Sequence, residues 1–307
     1  MTAPAQSKPR DLDTCAATIL VACCLIWGVG LVMVKIANAG ISPIMNSALR
    51  SVAAGFILLV WSLARGVPLF RRDRTLIAGI ACGTLFALEF LTLYAGLVTT
   101  DVARGIIFLH AAPFVAAYGE HLFVPGHRLT RRKVVGLAAA LFGLIIALSE
   151  SLFSGTRTTL TGDILCLIAG IAWGGTTVII RATQLKSAPA EKTLLYQLAV
   201  SAMLLVPASY LLGEPGIINL SPPVLGAFAY TVIGTVVLGY TTWFWLMRTY
   251  SAASLHAFTF LTPIFGVVAG HLILGERIGP LIVLGLILVV TGIWLVNAPE
   301  RLTGAKA

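Results

Sequence analysis

The sequence predicts an all-α integral membrane protein: ten transmembrane helices built as two inverted five-helix repeats around a central cavity. Three observations lead there: an apolar composition, basic residues sorted to one side, and an internal repeat that reverses the sorting. Of the 307 residues, 58% are hydrophobic and 11% charged, and the mean hydropathy is +0.95. A soluble domain carries about 25% charged residues. Ten spans of about 20 residues each consume most of the chain and leave no length for a folded aqueous domain. The 21 Lys and Arg against 12 Asp and Glu give a net charge of +9. In a soluble protein that balance would suggest nucleic acid; here it reads as a topology signal, and no nucleic-acid partner is expected.

Apolar windows place the spans at 15–36, 43–63, 76–97, 103–124, 134–152, 163–183, 193–212, 224–247, 253–274 and 279–297. Four stretches, Thr14 to Val34, Thr193 to Gly213, Thr249 to Gly275 and Ile278 to Pro299, hold no charged residue, as the cost of a charge at a helix centre requires. Lys8 and Arg10 precede the first span and Ala37-Asn38-Ala39 follows it, a pattern like a signal peptide. Its 21-residue apolar run exceeds the usual core of about 7–15 residues, so a retained helix is expected. Cys15, Cys23, Cys24, Cys82 and Cys166 lie in or beside spans without metal-type spacing and read as small packing residues. No metal or other cofactor is expected.

With a cytoplasmic N-terminus, 15 basic residues fall in inner segments and two, Arg157 and Arg277, in outer ones. Lys35, Arg50, Arg104 and Arg181 lie within spans. This bias predicts an even number of crossings and both termini in the cytoplasm. The chain also repeats itself. Trp27-Gly28 recurs as Trp173-Gly174, with Lys35 matched by Arg181. Ala103, Pro113, His121 and Leu122 recur as Ala253, Pro263, His271 and Leu272, and Gly136 and Gly143 as Gly285 and Gly292. The predicted organisation is a tail over 1–14, repeats over 15–152 and 163–297, a linker over 153–162, and a tail over 298–307. Five helices per repeat turn the second copy upside down. Four basic residues between spans 4 and 5 accordingly face one, Arg277, between spans 9 and 10. Inverted repeats are an architecture of secondary transporters, because two halves rocking about a central site give two access states.

The features that such a site needs lie near the span centres. Pro113 and Pro263 sit in the middle of spans 4 and 9 and act as kinks or hinges. Each frees the carbonyl four residues earlier, Leu109 and Thr259, which must find water, a side chain or substrate. Trp61, Trp243, Trp245 and Trp294 fall toward span ends, as interfacial tryptophans do. Trp27 and Trp173 fall near centres, each followed by glycine, and read either as core packers or as aromatic walls of a cavity. Glu89 is the one acidic residue deep in a span. Its burial cost makes it a candidate to bind an ammonium group, carry a proton or pair with a cation; its counterpart in the second repeat is Gly239. Arg50 could receive a carboxylate, neutralise Glu89 or snorkel. His110, one turn before Pro113, lines the cavity or is a satisfied core histidine. Tyr94 is a candidate at the outer rim. Glu120, His121, His271, Arg104, Lys35 and Arg181 read as interfacial polar residues. The glycines seven apart in spans 5 and 10 favour close helix packing; a monomer is expected, and these faces leave a dimer open.

These residues resemble a known family. Two five-helix repeats, each with Trp-Gly in its first helix and a mid-helix proline in its fourth, together with Ala48-Leu49-Arg50 and Leu274-Gly275-Glu276-Arg277, are similar to the EamA-type drug/metabolite transporter superfamily over about residues 15–297. Within it the chain is most similar to the YddG-type bacterial amino-acid exporters, with Glu89 set in Leu88-Glu89-Phe90. The resemblance implies a basket-like fold in the inner membrane, with helices 5 and 10 at the periphery. It also implies a central aromatic cavity, lined by Trp173 and the residues around Glu89, that accepts aromatic and other neutral amino acids. The first repeat departs from the pattern, with Val124-Pro125-Gly126-His127-Arg128 where the second has Leu274-Gly275-Glu276-Arg277; that loop is read as topological.

The expected function is therefore a secondary transporter exporting amino acids or related small metabolites by alternating access, with small-molecule substrate and membrane lipid as partners. A drug or other metabolite carrier, a channel and a scramblase are the alternatives. A nucleotide-sugar-like substrate is less attractive, since a phosphate calls for converging basic residues and the interior offers Arg50. An enzyme is not expected: the sequence shows no His-Glu-x-x-His, no paired intramembrane aspartates and no Ser/His couple at usable spacing. There is no ATP-binding motif, and proton coupling through Glu89 and facilitated diffusion remain alternatives.

Overall fold

The computed structural model describes residues 13–125, 130–153, 157–249, 259 and 261–297. Lys8, Arg10, Arg128, Ala253, Arg301 and Lys306 lie outside the described residues. The helices are α1 (Thr14–Asn38), α2 (Pro43–Ala64), α3 (Leu76–Thr99), α4 (Val102–Leu109), α5 (Ala112–Phe123), α6 (Arg131–Phe153), α7 (Arg157–Ala182), α8 (Ala190–Leu211), α9 (Pro222–Ala229), a π-helical stretch (Tyr230–Tyr240), α10 (Thr241–Thr249), α11 (Leu261–Leu274) and α12 (Pro280–Asn297). No strand occurs among the described residues; one isolated bridge joins Ile41 to Ile217. Seven helical stretches among the described residues are long and apolar enough to cross a membrane, with α11 and α12 as shorter apolar helices.

Span 4 is not one kinked helix. α4 stops at Leu109, His110 and Ala111 form a turn, and α5 starts at Ala112 with Pro113 in its first turn. Proline lacks an N–H and fits a helix start, where that donor has no partner anyway. Pro263 likewise sits in the first turn of α11. Each break is crossed closely by another helix. A Cβ on Gly174 of α7 would lie 2.7 Å from the Ala112 carbonyl, and one on Gly28 of α1 would lie 3.0 Å from the Thr262 carbonyl and 2.8 Å from the Gly266 nitrogen. The glycine of each Trp-Gly pair thus lets one backbone rest on the residue just before the opposing proline.

α6 and α12 pack along one another. A Cβ on Gly143 would meet the Gly285 carbonyl at 2.8 Å, and one on Gly292 the Gly136 carbonyl at 2.6 Å. The paired glycine faces expected from the sequence are therefore occupied by each other within one chain. Elsewhere α3 lies against α7 and α8, α2 against α8, and α1 against α11. The largest apolar cluster joins α1, α3, α4 and α7, with Leu97, Ile106, Phe108 and Cys166 fully buried in it.

Helix ends are closed by residues distant in sequence. Glu214 caps α2, accepting from the Ile44 and Met45 N–H groups at 3.0 Å each and from the Ser42 and Ser209 hydroxyls. Glu276 caps α4 through the Val102 and Ala103 N–H groups and binds Lys35 at 2.9 Å. A carboxylate at a helix N-terminus satisfies orphan donors and complements the helix dipole. The fully buried Asp163 takes a 2.8 Å ion pair with Arg104 and a hydrogen bond from Thr100. Arg181 pairs with Glu120 at 3.1 Å. Lys35, Arg104, Arg181 and Glu120, read as interfacial polar residues, are ion-paired with residues distant in sequence, partners that the packing joins. Arg104 is only 6% exposed. Asp163, Glu191 and Glu276 are also buried, near helix starts or in a loop, so burial is not confined to Glu89 among the acids.

The 65–75 loop is held by Asp73, which accepts from the Thr75 hydroxyl at 2.6 Å and from Lys192 at 2.9 Å. These two contacts push its pKa down to about 2.

Two outcomes follow. Asp163→Asn leaves the Arg104 charge buried without its counter-ion and should lower stability by about 3–5 kcal/mol, read as a fall in the melting temperature of the purified protein. Arg104→Met combined with Asp163→Leu should recover most of it. Since the folded pKa of Asp73 is depressed below the unfolded value of about 3.9, its anchoring is fully present above about pH 4 and lost as pH falls toward about 2. Hydrogen exchange in 68–75, corrected for intrinsic rate, should therefore not change between pH 5 and 8, and Asp73→Asn should speed it throughout that range.

Candidate functional site

One face of α3 carries Phe86, Glu89, Phe90 and Tyr94, spaced three and four residues apart, and Arg50 of α2 lies across from it. The Arg50 side chain is among the largest fully buried ones. Its guanidinium carbon stands 3.7 Å from the Phe90 ring centre, 5.6 Å from that of Tyr94 and 5.8 Å from that of Phe86. Two of its nitrogens, Nε and Nη2, have no hydrogen-bond partner. Glu89 is 5% exposed, and its Oε2 is likewise without one. Among the described residues no ion pair within 4 Å joins the two. A stacked cation gains about 2 kcal/mol when desolvated. An unsatisfied buried polar group costs about 1–3 kcal/mol and a charged one more, so the aromatic face offsets part of the penalty and leaves the rest standing.

Tyr94 is fully buried, edge-on to Phe90 with ring centres 5.9 Å apart. Its hydroxyl lies near Thr231 without meeting hydrogen-bond geometry. The expectation of an outer-rim tyrosine is therefore corrected: the helical phase of α3 turns it into the bundle beside Arg50. Tyr240, which ends the π-helical stretch, is within electrostatic range of Glu89, Arg50 and Tyr94, and its ring centre is 5.9 Å from that of Trp27. Trp27 is locked from several sides. Its Nε1 donates to the Thr235 carbonyl at 3.4 Å, Trp243 meets it edge-on at 5.5 Å, and a Cβ on Gly239 would lie 2.6 Å from that same nitrogen. Gly239, the counterpart of Glu89, is thus the gap through which the indole passes. Trp243, expected at an interface, is buried against Trp27.

His110 and Trp173 form a second group, rings edge-on at 5.9 Å. His110 is buried and its Nδ1 bonds the Ile106 carbonyl at 2.7 Å, while Trp173 remains 37% exposed. No hydrogen bond, ring contact or ion pair links this group to Arg50 and Glu89 among the described residues. Of the two freed carbonyls, that of Leu109 abuts Gly170 of α7, where a Cβ would lie 2.7 Å away. That of Thr259 accepts from the Thr262 N–H at 3.1 Å. The expectation that Thr259 must look to water, a side chain or substrate is overturned by this tight turn.

The model of the EamA-like transporter family matches residues 15–149 and again residues 160–298. The chain belongs to this family. It is similar to the "Uncharacterized transporter YvbV" of Bacillus subtilis (strain 168), 25% identical with 96% of this chain and 95% of that one covered. It is also similar to a "Probable amino-acid metabolite efflux pump" of Escherichia coli (strain K12), 24% identical over 88% and 91%. A solved structure superposes with a TM-score of 0.66 at 20% identity, covering 92% of this chain and 96% of that one, and carries the fold alone. The EamA chain is accordingly a multi-pass membrane protein.

Several residues around this EamA site escape sequence reading. Tyr240 and the unpartnered Thr235 and Thr262 hydroxyls belong to no motif. Tyr240 owes its orientation to the wide π-helical turn, which has no compositional marker beyond Gly234 and Gly239. The two tryptophans also differ in a way that their shared Trp-Gly context hides. Trp27→Ala removes a packed, hydrogen-bonded indole and should cost about 3–5 kcal/mol, whereas Trp173→Ala, at a half-open position, should cost about 1–2 kcal/mol. Melting curves of the two purified variants check the difference.

Proposed function

We propose that this EamA protein exports amino acids, aromatic and other neutral ones, or related small metabolites across the cell inner membrane by alternating access. In this reading ten spans form two inverted repeats around the site, with both termini cytoplasmic. The observation that carries it is the buried pair of a guanidinium and a carboxyl group, Arg50 and Glu89, each with unpartnered polar atoms and not bonded to each other. A zwitterion presents one carboxylate and one ammonium; Arg50 receives the first and Glu89 the second. Phe90, Tyr94, Tyr240 and Trp27 supply the aromatic surface, and Trp173 with His110 a second wall. The pump name borne by the Escherichia coli relative points to the same substrate class.

Support for the inverted repeat comes from contacts that keep their pattern when the halves are exchanged. α6 with α12 and α2 with α8 map onto themselves, and α1 with α11 maps onto α7 with α5. The ends of α2 and α8 agree too. Gly66 and Gly213 take φ of +66° and +71°, and Val67 and Glu214 donate back to Ser62 and Ser209 in the same helix-ending turn. That turn needs a left-handed residue, which favours glycine. Pro113 and Pro263 then serve as the matched hinges.

The test is efflux of labelled phenylalanine or threonine from proteoliposomes. Glu89→Gln and Arg50→Gln should each lower the initial rate at least tenfold, and Trp173→Ala should change the preference between the two substrates. Unchanged rates in both charge variants, with folding intact by melting temperature, would overturn the site. Non-saturable flux would place the protein among channels.

A further inference from the structure

A separate groove of about 840 Å³ runs between α2 and α8 and opens at the 65–75 loop, within the range of pockets that enclose small molecules. Its floor is made of small residues, Gly55 of α2 with Ala199 and Ala202 of α8, and its walls are Val52, Phe56 and Phe70. Phe56 is 67% and Phe70 83% exposed, so the apolar lining faces outward, away from Arg50. Its mouth is basic: Arg71, Arg72 and Arg74 line it and are exposed. Among the described residues none of the three side chains makes a hydrogen bond or an ion pair. The one acid between them, Asp73, is already taken by Lys192 and Thr75, and its carboxyl stays ionised and committed because its pKa is pushed down to about 2. The Arg71 carbonyl also accepts from Lys192 at 2.8 Å, and Arg74 holds a left-handed φ of 58°. The loop is thus fixed with its cations uncompensated.

We propose that this groove is a binding site for an anionic glycerophospholipid, its phosphate held by Arg71, Arg72 and Arg74 and one acyl chain laid along the floor between α2 and α8. Charge complementarity selects the headgroup. The loop joins two membrane-spanning helices at their ends, at headgroup depth, where basic pockets between helices recognise anionic lipids. A soluble anion would use the cations and leave the outward apolar floor without purpose. Each basic residue near an anionic lipid contributes about fivefold in affinity, so three contribute on the order of 100-fold.

The experiment is native mass spectrometry of the full chain in detergent, titrated with phosphatidylglycerol or with phosphatidylcholine of the same acyl chains. Phosphatidylglycerol should be retained at least tenfold better. R71Q/R72Q/R74Q should bring its retention to the phosphatidylcholine level, and Ala199→Phe, which fills the floor and spares the arginines, should also release it. Equal retention of the two lipids, or undiminished retention by the triple variant, overturns the site. Displacement by inorganic phosphate alone, or full retention by Ala199→Phe, overturns the acyl-chain placement and leaves a simple anion patch. Efflux by the triple variant, measured in parallel, separates failure of this site from failure of the transport site, since these arginines touch nothing in the Arg50 and Glu89 group.

Discussion

The arrangement depends on one constraint: a helix interrupted inside a membrane has no water to satisfy its backbone. The break before Pro113 and the helix start at Pro263 are each covered closely by another helix, and glycine leaves the room for it. Gly174 and Gly28 meet the Ala112 and Thr262 carbonyls, and Gly170 meets that of Leu109, at distances that would exclude a Cβ. These contacts fix how α7 crosses α5 and how α1 crosses α11. They also explain why tryptophan precedes each glycine. Once the glycine touches the opposing backbone, its neighbour is set to one side of the crossing, and the two sides differ: Trp27 meets the π-helical stretch and Trp243, Trp173 meets His110.

Charge follows the same logic. Near the helix ends, carboxylates are consumed by caps and ion pairs: Glu276 by α4 and Lys35, Glu214 by α2, Asp163 by Arg104. In the middle, Arg50 and Glu89 are left without such partners. In the proposed transport reading, bonds that tie the ends of one half to the other are candidates to break when access switches, whereas the interior pair would need no rearrangement within the protein to meet a ligand. The division between committed and uncommitted charge separates scaffold from site more cleanly than burial does, since both sets are buried.

Much of the scaffold was legible in the sequence. Among the described residues the apolar windows coincide with helices, the fourth split in two and the start of the ninth lying outside the described residues, and the glycines seven apart anticipate the contact of α6 with α12. Pro113 marked the break in span 4, and both Pro113 and Pro263 prove to stand in the first turn of a helix. What stayed hidden depends on pairing at a distance. Arg104 looked interfacial because its partner, Asp163, lies across the linker between the halves. Tyr94 looked peripheral because only the phase of α3 against α2 brings it to Arg50. Tyr240 was invisible because a π-helical register rotates it relative to the spacing that an α-helix would give. Arg50, Glu89, Trp27, Trp173 and His110 were singled out for the cost of their polar groups or their central position, and the folded chain sorts these five into two separate groups.

The contact of Arg50 with Phe90 carries a kinetic meaning as well. A salt bridge to Glu89 would have to be pulled apart before either charge could engage anything else, and that rupture would add to the barrier of loading. With the cation resting on a ring face, which offers attraction but no directional bond, the guanidinium of the proposed site would turn toward an arriving carboxylate without first surrendering a hydrogen bond. The unpaired cation costs resting stability, and in the proposed transport reading that cost returns as a lower threshold at the moment of capture.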